Sequence, residues 1–268
     1  MITREGRVVG RTGSSIGAEL STTMLRQLLM GEVACIWHRQ WYDVTQITSE
    51  LQKLYDLGIR SVPDGTGVRS IGPQVGSAFI SESSAKNYFA EAQIFWNQVR
   101  TEIFARFVNP IDALFDAIND VWPAGATAGK HDNDTFSLGV FRWFSQGSSL
   151  NPHVDTVTES LIAPLCRATR LAANIYLDTT STINGGHLEL WDLSLTPDQF
   201  ELARAPDFSL RREMIGPPIL SISPEPGDLI LFDAERIHAV STILNGTRLT
   251  ASTFVGFSRL DGPLSFFA

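Results

Sequence analysis

The stretch Asn151-Pro152-His153-Val154-Asp155, followed later by His238 and Arg248, constrains the fold of this chain. Two imidazoles and one carboxylate form a set of nitrogen and oxygen ligands that suits one face of an octahedral ferrous ion and leaves its other positions open. His153 and Asp155 are close enough in sequence for one strand end or tight loop to hold both. His238 must come from a different strand, so we expect the site to form only in a folded barrel or sandwich.

The chain around this stretch, residues 131–268, has the pattern of short strands separated by turns. Strands are predicted over 136–144, 171–177, 187–191, 219–222, 229–232, 238–243 and 249–257. An insertion at 194–218 interrupts them and has helical potential around 197–205. Short antiparallel strands in two sheets are what a jelly roll requires. We therefore expect a double-stranded β-helix (jelly roll, cupin-like) over this half of the chain.

Residues 1–130 have a mainly helical pattern, which we expect to pack around the jelly roll in one compact α+β domain. Helices are predicted over 18–30, 44–57 and 84–108, with a shorter one ending at residue 121, and strands over 7–9 and 33–37. Gly58 is a typical cap for the second helix. The Gly- and Pro-rich segment 61–77 is predicted to be a loop and a candidate lid, and 125–134 a polar connector.

The order of the motifs resembles the iron(II)- and 2-oxoglutarate-dependent oxygenases, in particular their prolyl-hydroxylase-like branch. The segments that carry the resemblance are Asn151-Pro152-His153-Val154-Asp155, Ile175-Tyr176-Leu177-Asp178, Gly185-Gly186-His187-Leu188-Glu189-Leu190, Pro226-Gly227-Asp228-Leu229-Ile230-Leu231-Phe232, His238-Ala239-Val240 and Arg248-Leu249-Thr250. A single His-x-Asp arises easily by chance, whereas six segments in this order do not. The matching region covers nearly half of the chain.

The resemblance implies that His153, Asp155 and His238 are the catalytic metal ligands for Fe(II). It also implies 2-oxoglutarate as co-substrate and O₂, with ascorbate as a supporting reductant. The expected reaction hydroxylates an unactivated C–H bond and releases succinate and CO₂. In related halogenases the carboxylate position holds Gly or Ala, so the presence of Asp155 favours a hydroxylase over a halogenase.

Four residues are predicted to bind 2-oxoglutarate. Arg248 matches the family's residue for the distal carboxylate, and its guanidinium offers a permanently charged fork with the geometry of a carboxylate. Thr250 lies two residues further on and shares a strand face with it. Tyr176 stands where prolyl-hydroxylase-like relatives have a tyrosine that contacts the same carboxylate, and Asn174 shares its face.

Three further residues are candidates for contact with the substrate. Arg142 and Trp143 precede the His-x-Asp stretch at the rim of the expected pocket. Trp143 is expected to pack on the substrate and Arg142 to meet a substrate carboxylate, with core packing and surface charge as the open alternatives. Arg69 is a candidate within the expected lid.

Composition limits the possible partners. The chain has 268 residues, of which 43% are hydrophobic and 10% aromatic, enough for a buried core. A formal charge of −8 disfavours a nucleic-acid polymer. Cys35 and Cys166 are too few for a disulfide framework or a thiolate zinc site. Without a basic-then-apolar N-terminal segment or a long apolar run, we expect a soluble, cytoplasmic protein that has no membrane partner.

The favoured function is hydroxylation of a small molecule in biosynthesis: a free amino acid, a derivative or a natural-product intermediate. Two alternatives stay open. One is a hydroxylase of a protein side chain, which would need an open groove. The other is a non-catalytic cupin-like binding protein, although such a protein would have no physical reason to keep His153, Asp155, His238 and Arg248. The sequence leaves the oligomeric state open, as well as the choice between hydroxylation, desaturation and ring closure.

Overall fold

A large mixed sheet and a smaller antiparallel sheet form the centre of the protein. The computed structural model describes residues 15–16, 19–60, 67–75, 82–155, 169–179, 184–207, 209–257, 259 and 261–268. The strands are β1 (Ser15–Ile16), β2 (Cys35–His38), β3 (Arg69–Ile71), β4 (Ala126–Ala128), β5 (Lys130–His131), β6 (Asp134–Thr135), β7 (Val140–Phe144), β8 (Leu150–His153), β9 (Thr169–Asp178), β10 (Leu188–Leu190), β11 (Leu220–Ile222), β12 (Leu229–Asp233), β13 (His238–Val240), β14 (Arg248–Phe257) and β15 (Leu264–Phe267).

The helices flank these sheets. They are α1 (Thr22–Leu29), α2 (Thr48–Arg60), α3 (Glu82–Gln98), α4 (Pro110–Val121), α5 (Pro197–Ala203) and α6 (Arg212–Ile215), with a 3₁₀ turn at Val44–Gln46 and a π-helical turn at Val99–Ile103. None of the helices in the described ranges is long and apolar enough to cross a membrane. The mixed helix-and-sheet class predicted from the sequence is confirmed.

The large sheet runs β1-β2-β12-β9-β14, and β14 then pairs with two strands, one along each half of its length. Strand β7, which continues to β3, pairs with residues 248–252, and β15, which continues to β4, pairs with residues 254–256. The small sheet has the order β11-β10-β13-β8. On this side of the long strand β14 the large sheet therefore divides into two branches.

Alternation along β9 explains how the layers are arranged, because successive side chains of a strand point to opposite faces. Leu171, Ala173, Ile175 and Leu177 lie on the face that packs against α1, α2 and α4. Ala172 and Tyr176 lie on the other face and join a second core with residues of β10 and β11. The large sheet is therefore covered by helices on one side and by the small sheet on the other.

The insertion at 194–218 covers the outer face of the small sheet. Apolar residues of α5, α6 and the segment between them pack with Trp191 and Ala239 there. The backbone N–H of Leu210 donates to the carbonyl of Pro152 at 2.6 Å, and Asn151 Nδ2 donates to Asp207 at 3.2 Å. The insertion is thus tied directly to β8.

The sequence predicted that the second helix ends at Gly58. In the structure, helix α2 continues to Arg60. A Cβ at Gly58 would lie 2.6 Å from Cε3 of Trp143, so the glycine lets the helix approach the sheet closely. Gly58 therefore permits close packing between α2 and β7 and is not a helix cap.

Other predicted boundaries also change. The expected connector 125–134 contains β4, β5 and β6. The helix predicted to reach residue 108 ends at Gln98 and is followed by the π-helical turn Val99–Ile103. In the expected loop 61–77, Arg69–Ile71 form β3, while 61–66 and 76–77 lie outside the described residues. The strand predicted over 7–9 also lies outside them. The lid role of this loop stays a prediction.

Candidate metal centre

The three predicted metal ligands meet at one end of the small sheet. His153 is the last residue of β8, His238 is the first of the neighbouring strand β13, and the two are paired in register. Asp155 follows β8 by two residues. Its Oδ1 lies 3.6 Å from Nε2 of His153, and its Oδ2 lies 3.4 Å from Nε2 of His238. Ligand atoms of all three lie within 4.8 Å of one another, so the structure assembles the set that the sequence predicted.

Backbone carbonyls fix the orientation of both imidazoles. Nδ1 of His153 lies 2.7 Å from the carbonyl of Asn151, and Nδ1 of His238 lies 2.9 Å from that of Arg236. A carbonyl only accepts, so each Nδ1 must carry the proton. Each Nε2 then faces Asp155 and is the ring atom left to bind a metal ion, the arrangement that metal-binding histidines use.

The backbone of Asp155 is held from two sides. Its N–H donates to the carbonyl of Ala234 at 3.0 Å, and Nη2 of the buried Arg170 donates to its carbonyl at 2.6 Å. Burial acts to raise the pKa of the Asp155 carboxyl, but the charges and hydrogen bonds of His238 and His153 hold that pKa well below its ordinary value. The carboxylate is therefore an anion within the cluster.

The cluster is open on one side. The side chains of His153 and Asp155 keep 24% and 23% of their surface exposed, whereas His238 keeps 8%. Two imidazoles with Nε2 toward Asp155 and one carboxylate, aimed at a common point and open to further ligands, fit a ferrous ion with free coordination positions. The donor set is less suited to calcium or magnesium, which prefer oxygen ligands alone.

A buried guanidinium lies on the face of the large sheet that the small sheet covers. Arg248 is 3% exposed. It donates to the carbonyl of Gly186 at 2.8 Å and to the hydroxyl of Tyr176 at 3.3 Å, and its Nε has no partner. The rings of Phe144 and Tyr176 lie 5.0 and 4.8 Å from its Cζ.

No acidic group of the described residues forms an ion pair with Arg248. Burial lowers its pKa, as expected for a cation removed from water. A buried charge without a counter-ion is costly to the fold unless a ligand supplies the opposite charge. The surroundings of Arg248 therefore fit an anion such as a carboxylate.

Thr250, Tyr176 and Asn174 lie on the same face as Arg248. Thr250 is paired with Tyr176 across β14 and β9. Its hydroxyl lies 3.1 Å from that of Ser252, which in turn donates to Oδ1 of Asn174 at 2.7 Å. The four residues predicted for 2-oxoglutarate are thus brought together, although Asn174 is engaged with Ser252. Their role in binding stays a prediction.

The three predicted substrate residues are divided between two faces. Arg142 lies on the inner face of β7 with Phe144, whose ring packs against residues of the small sheet. Trp143 points to the helical face, where its ring meets that of Tyr55 edge-on at 5.5 Å. Arg69 lies over Trp143 on that same face, 5.9 Å from the ring centre. Trp143 and Arg69 are paired across β7 and β3 and lie on the opposite face from Arg142, because successive side chains of a strand alternate between faces. The substrate contacts of all three residues stay a prediction.

Sequence reasoning missed three residues of the site: Phe144, Gly186 and Ser252. Gly186 belongs to the Gly-Gly pair that the motif contains, and both glycines have positive φ values, 79° at Gly185 and 74° at Gly186. The Gly185-Gly186 pair was therefore the sequence signal from which Gly186 could have been assigned to the site. Phe144 and Ser252 are common residue types, and only the strand register reveals that they face Arg248.

The chain matches a family model and a named relative. Residues 25–267 match the family model of the carrier-protein-independent halogenase WelO5. Over 136 residues the chain is 33% identical to an L-isoleucine 3(1)-dioxygenase from Pantoea ananatis (strain AJ13355). That match covers 43% of this chain and 41% of the relative, so the chain spans less than half of that protein's length.

Solved structures share the fold. An N-substituted L-amino acid dioxygenase from Burkholderia ambifaria AMMD superposes with a TM-score of 0.58 at 19% identity, covering 92% of this chain and 91% of that one. HygX from Streptomyces hygroscopicus, solved with nickel and 2-oxoglutarate bound, superposes with a TM-score of 0.50 at 14% identity, covering 90% and 88%. The resemblance to iron(II)- and 2-oxoglutarate-dependent oxygenases stated from the sequence is confirmed.

Proposed function

This chain belongs to the family of the carrier-protein-independent halogenase WelO5, and from that premise we propose that it is an iron(II)- and 2-oxoglutarate-dependent oxygenase that hydroxylates a small molecule. The observation that carries the proposal is the joint presence of the His153–Asp155–His238 cluster and the buried, uncompensated Arg248. The cluster offers three ligands to a metal ion and leaves other coordination positions free. Arg248 offers a binding site for an anion. A non-catalytic binding protein would have no need of both.

The fold supports the same reading. The order of the small sheet, β11-β10-β13-β8, and its packing against β9 and β12 are what we expect of a double-stranded β-helix. In that fold the metal ligands lie near one opening between the two sheets. The helices on the outer face then serve as a support for the large sheet.

Each group has a defined task in this proposal. His153, Asp155 and His238 hold Fe(II) through Nε2 and carboxylate atoms. Arg248, with the Tyr176 hydroxyl, holds the distal carboxylate of 2-oxoglutarate. When bound, iron together with 2-oxoglutarate and O₂ supplies the oxidant for an unactivated C–H bond. The carboxylate of Asp155 keeps the coordination position that chloride would need, so hydroxylation is the expected outcome even within a family named for halogenation.

The names of two similar proteins support a substrate class. One is named as a dioxygenase of L-isoleucine, and a structure of the same fold as a dioxygenase of N-substituted L-amino acids. We therefore propose an amino acid or an amino-acid derivative as the substrate.

The test combines binding and turnover. Anaerobic titration of the protein with Fe(II), followed by 2-oxoglutarate, is expected to give saturable binding of both. L-isoleucine and N-acetyl-L-isoleucine are then supplied with O₂, with succinate release and product mass read together. A product heavier by one oxygen atom in equal amount to succinate supports the proposal. Absence of 2-oxoglutarate binding, or a chlorinated product in chloride buffer, contradicts it.

A further inference from the structure

A second guanidinium, that of Arg142, faces the space between the sheets. Its neighbours on β7, Phe141 and Trp143, pack against the helices, so Arg142 must project to the opposite face. In the sheet it lies between Ser70 of β3 and Thr250 of β14. Arg142 therefore belongs to the same inner surface as Arg248, one strand away.

The donors of Arg142 are largely unused. Among the described residues its buried Nε has no partner, and its side chain makes one hydrogen bond, of 3.3 Å from Nη2 to the exposed Gln74. No acidic side chain in the described part of the chain pairs with it. A partly buried arginine without a carboxylate is unusual in a chain that carries a formal charge of −8.

Arg142 is close enough to Arg248 for the two charges to repel. Burial lowers the pKa of Arg248, and the positive charge of Arg142 lowers it further. Two like charges on one inner surface are unfavourable to each other. Anions that bind there relieve this repulsion.

The charges of the loaded site point to a second anion. A ferrous dication, the 2-oxoglutarate dianion, the Asp155 carboxylate and the Arg248 guanidinium have formal charges that cancel. Arg142 then remains as one uncompensated positive charge. Its guanidinium is a planar fork that matches a carboxylate with two parallel hydrogen bonds.

On the basis of the proposed function, we propose that Arg142 binds a carboxylate of the substrate and makes this enzyme specific for small carboxylic acids over their neutral analogues. Arg142 thus supplies substrate binding, whereas Arg248 supplies co-substrate binding. Free amino acids and N-substituted amino acids both carry the required group. Amides and esters of the same compounds lack the charge.

The experiment compares matched acids and amides without turnover. Wild-type protein loaded with Fe(II) and 2-oxoglutarate under anaerobic conditions is titrated calorimetrically with L-isoleucine, L-isoleucinamide, N-acetyl-L-isoleucine and its amide. At least one acid is expected to bind about tenfold or more tightly than its amide, as a charge-assisted bidentate contact gives. Arg142→Gln is expected to remove this preference, and Arg142→Lys to restore part of it.

The controls separate the two proposals. Arg106→Gln removes one exposed arginine charge and is expected to leave all affinities unchanged. The dissociation constant of 2-oxoglutarate is expected to stay within about twofold in Arg142→Gln. The role of Arg142 is wrong if no acid binds wild type more tightly than its amide. It is also wrong if Arg142→Gln weakens the binding of 2-oxoglutarate as much as that of the acid. In both cases the proposed function stands. If wild type fails to bind 2-oxoglutarate, the proposed function falls and this inference falls with it.

Discussion

The guanidinium of Arg248 lies over the ring of Tyr176, 4.8 Å from its centre, and donates to the hydroxyl of the same side chain at 3.3 Å. Tyr176 therefore contacts Arg248 through both the face of its ring and its hydroxyl oxygen. Because its oxygen accepts from Arg248, its proton is free to be donated to a bound carboxylate. Arg248 and Tyr176 together therefore offer two hydrogen-bond donors to the carboxylate that we propose binds here.

Arg248 should be required for 2-oxoglutarate binding and not for the stability of the fold. In Arg248→Met the buried charge is lost and the volume is nearly kept. We expect the free energy of unfolding without ligand to stay within about 1 kcal/mol of wild type or to rise. The affinity for 2-oxoglutarate should fall by about a hundredfold or more, because the carboxylate would then be buried without a partner. Urea denaturation and anaerobic titration give the two quantities.

Arg248→Lys is the matched variant, since it keeps the charge and loses the planar fork. We expect it to bind 2-oxoglutarate more weakly than wild type and more tightly than Arg248→Met. Unchanged affinity in Arg248→Met would remove Arg248 from the co-substrate site.

Asp155 should be indispensable to the metal centre. In Asp155→Asn one ligand becomes a neutral amide, and we expect Fe(II) affinity to fall by more than the about 10- to 100-fold that follows from losing an outer-shell partner. Succinate release should be lost with it. Asp120→Asn removes an exposed carboxylate of α4 and serves as the control for the change in charge. Full metal affinity in Asp155→Asn would show that the ligand is misassigned.

The Gly-Gly turn should tolerate no side chain. A Cβ at Gly185 would lie 1.8 Å from the carbonyl oxygen of Thr242, and φ at this residue is 79°. We expect Gly185→Ala to lower the free energy of unfolding by about 2–4 kcal/mol through backbone strain and steric overlap. It should also weaken 2-oxoglutarate binding, because the neighbouring Gly186 carbonyl accepts from Arg248.

Gly147 provides the comparison for that turn. Its φ is 86°, and a Cβ there would meet no atom within 4 Å. Gly147→Ala should therefore cost only about 1 kcal/mol from the left-handed backbone. Equal losses in the two variants, measured by urea denaturation, would mean that the contact with Thr242 is unimportant.

Trp143 should matter to stability and not to substrate binding. Its ring packs against Tyr55 on the helical face of the sheet. We expect Trp143→Phe to lower the free energy of unfolding by about 1 kcal/mol and to leave the substrate KM within about twofold. A large increase in KM without loss of stability would return Trp143 to the list of substrate residues.

The sequence was sufficient for the metal ligands and for most strands of the second half. Residues such as His153 and His238 are rare, and the runs beside them alternate clearly. It left two environments open for Trp143, because the face on which a strand residue lies depends on the pairing of β7 with β14, and pairing between distant strands is not encoded locally.

The same limit applies to Gly58 and to the short strands near residue 130. A glycine that ends a helix and a glycine that permits close packing have the same sequence signal. Strand β4 has three residues, and its partner β15 is distant in sequence, so neither carries a periodic pattern of useful length.

The hydrogen bond from Leu210 to the Pro152 carbonyl has a consequence for modular exchange among related enzymes. The insertion that carries Leu210 is a natural unit to transplant, because both of its ends lie in the strand-rich half. Yet its backbone holds the residue directly before His153. A chimera that replaces the whole insertion would therefore also replace this contact to β8, whereas a graft that stops short of Leu210 would keep the recipient's contact.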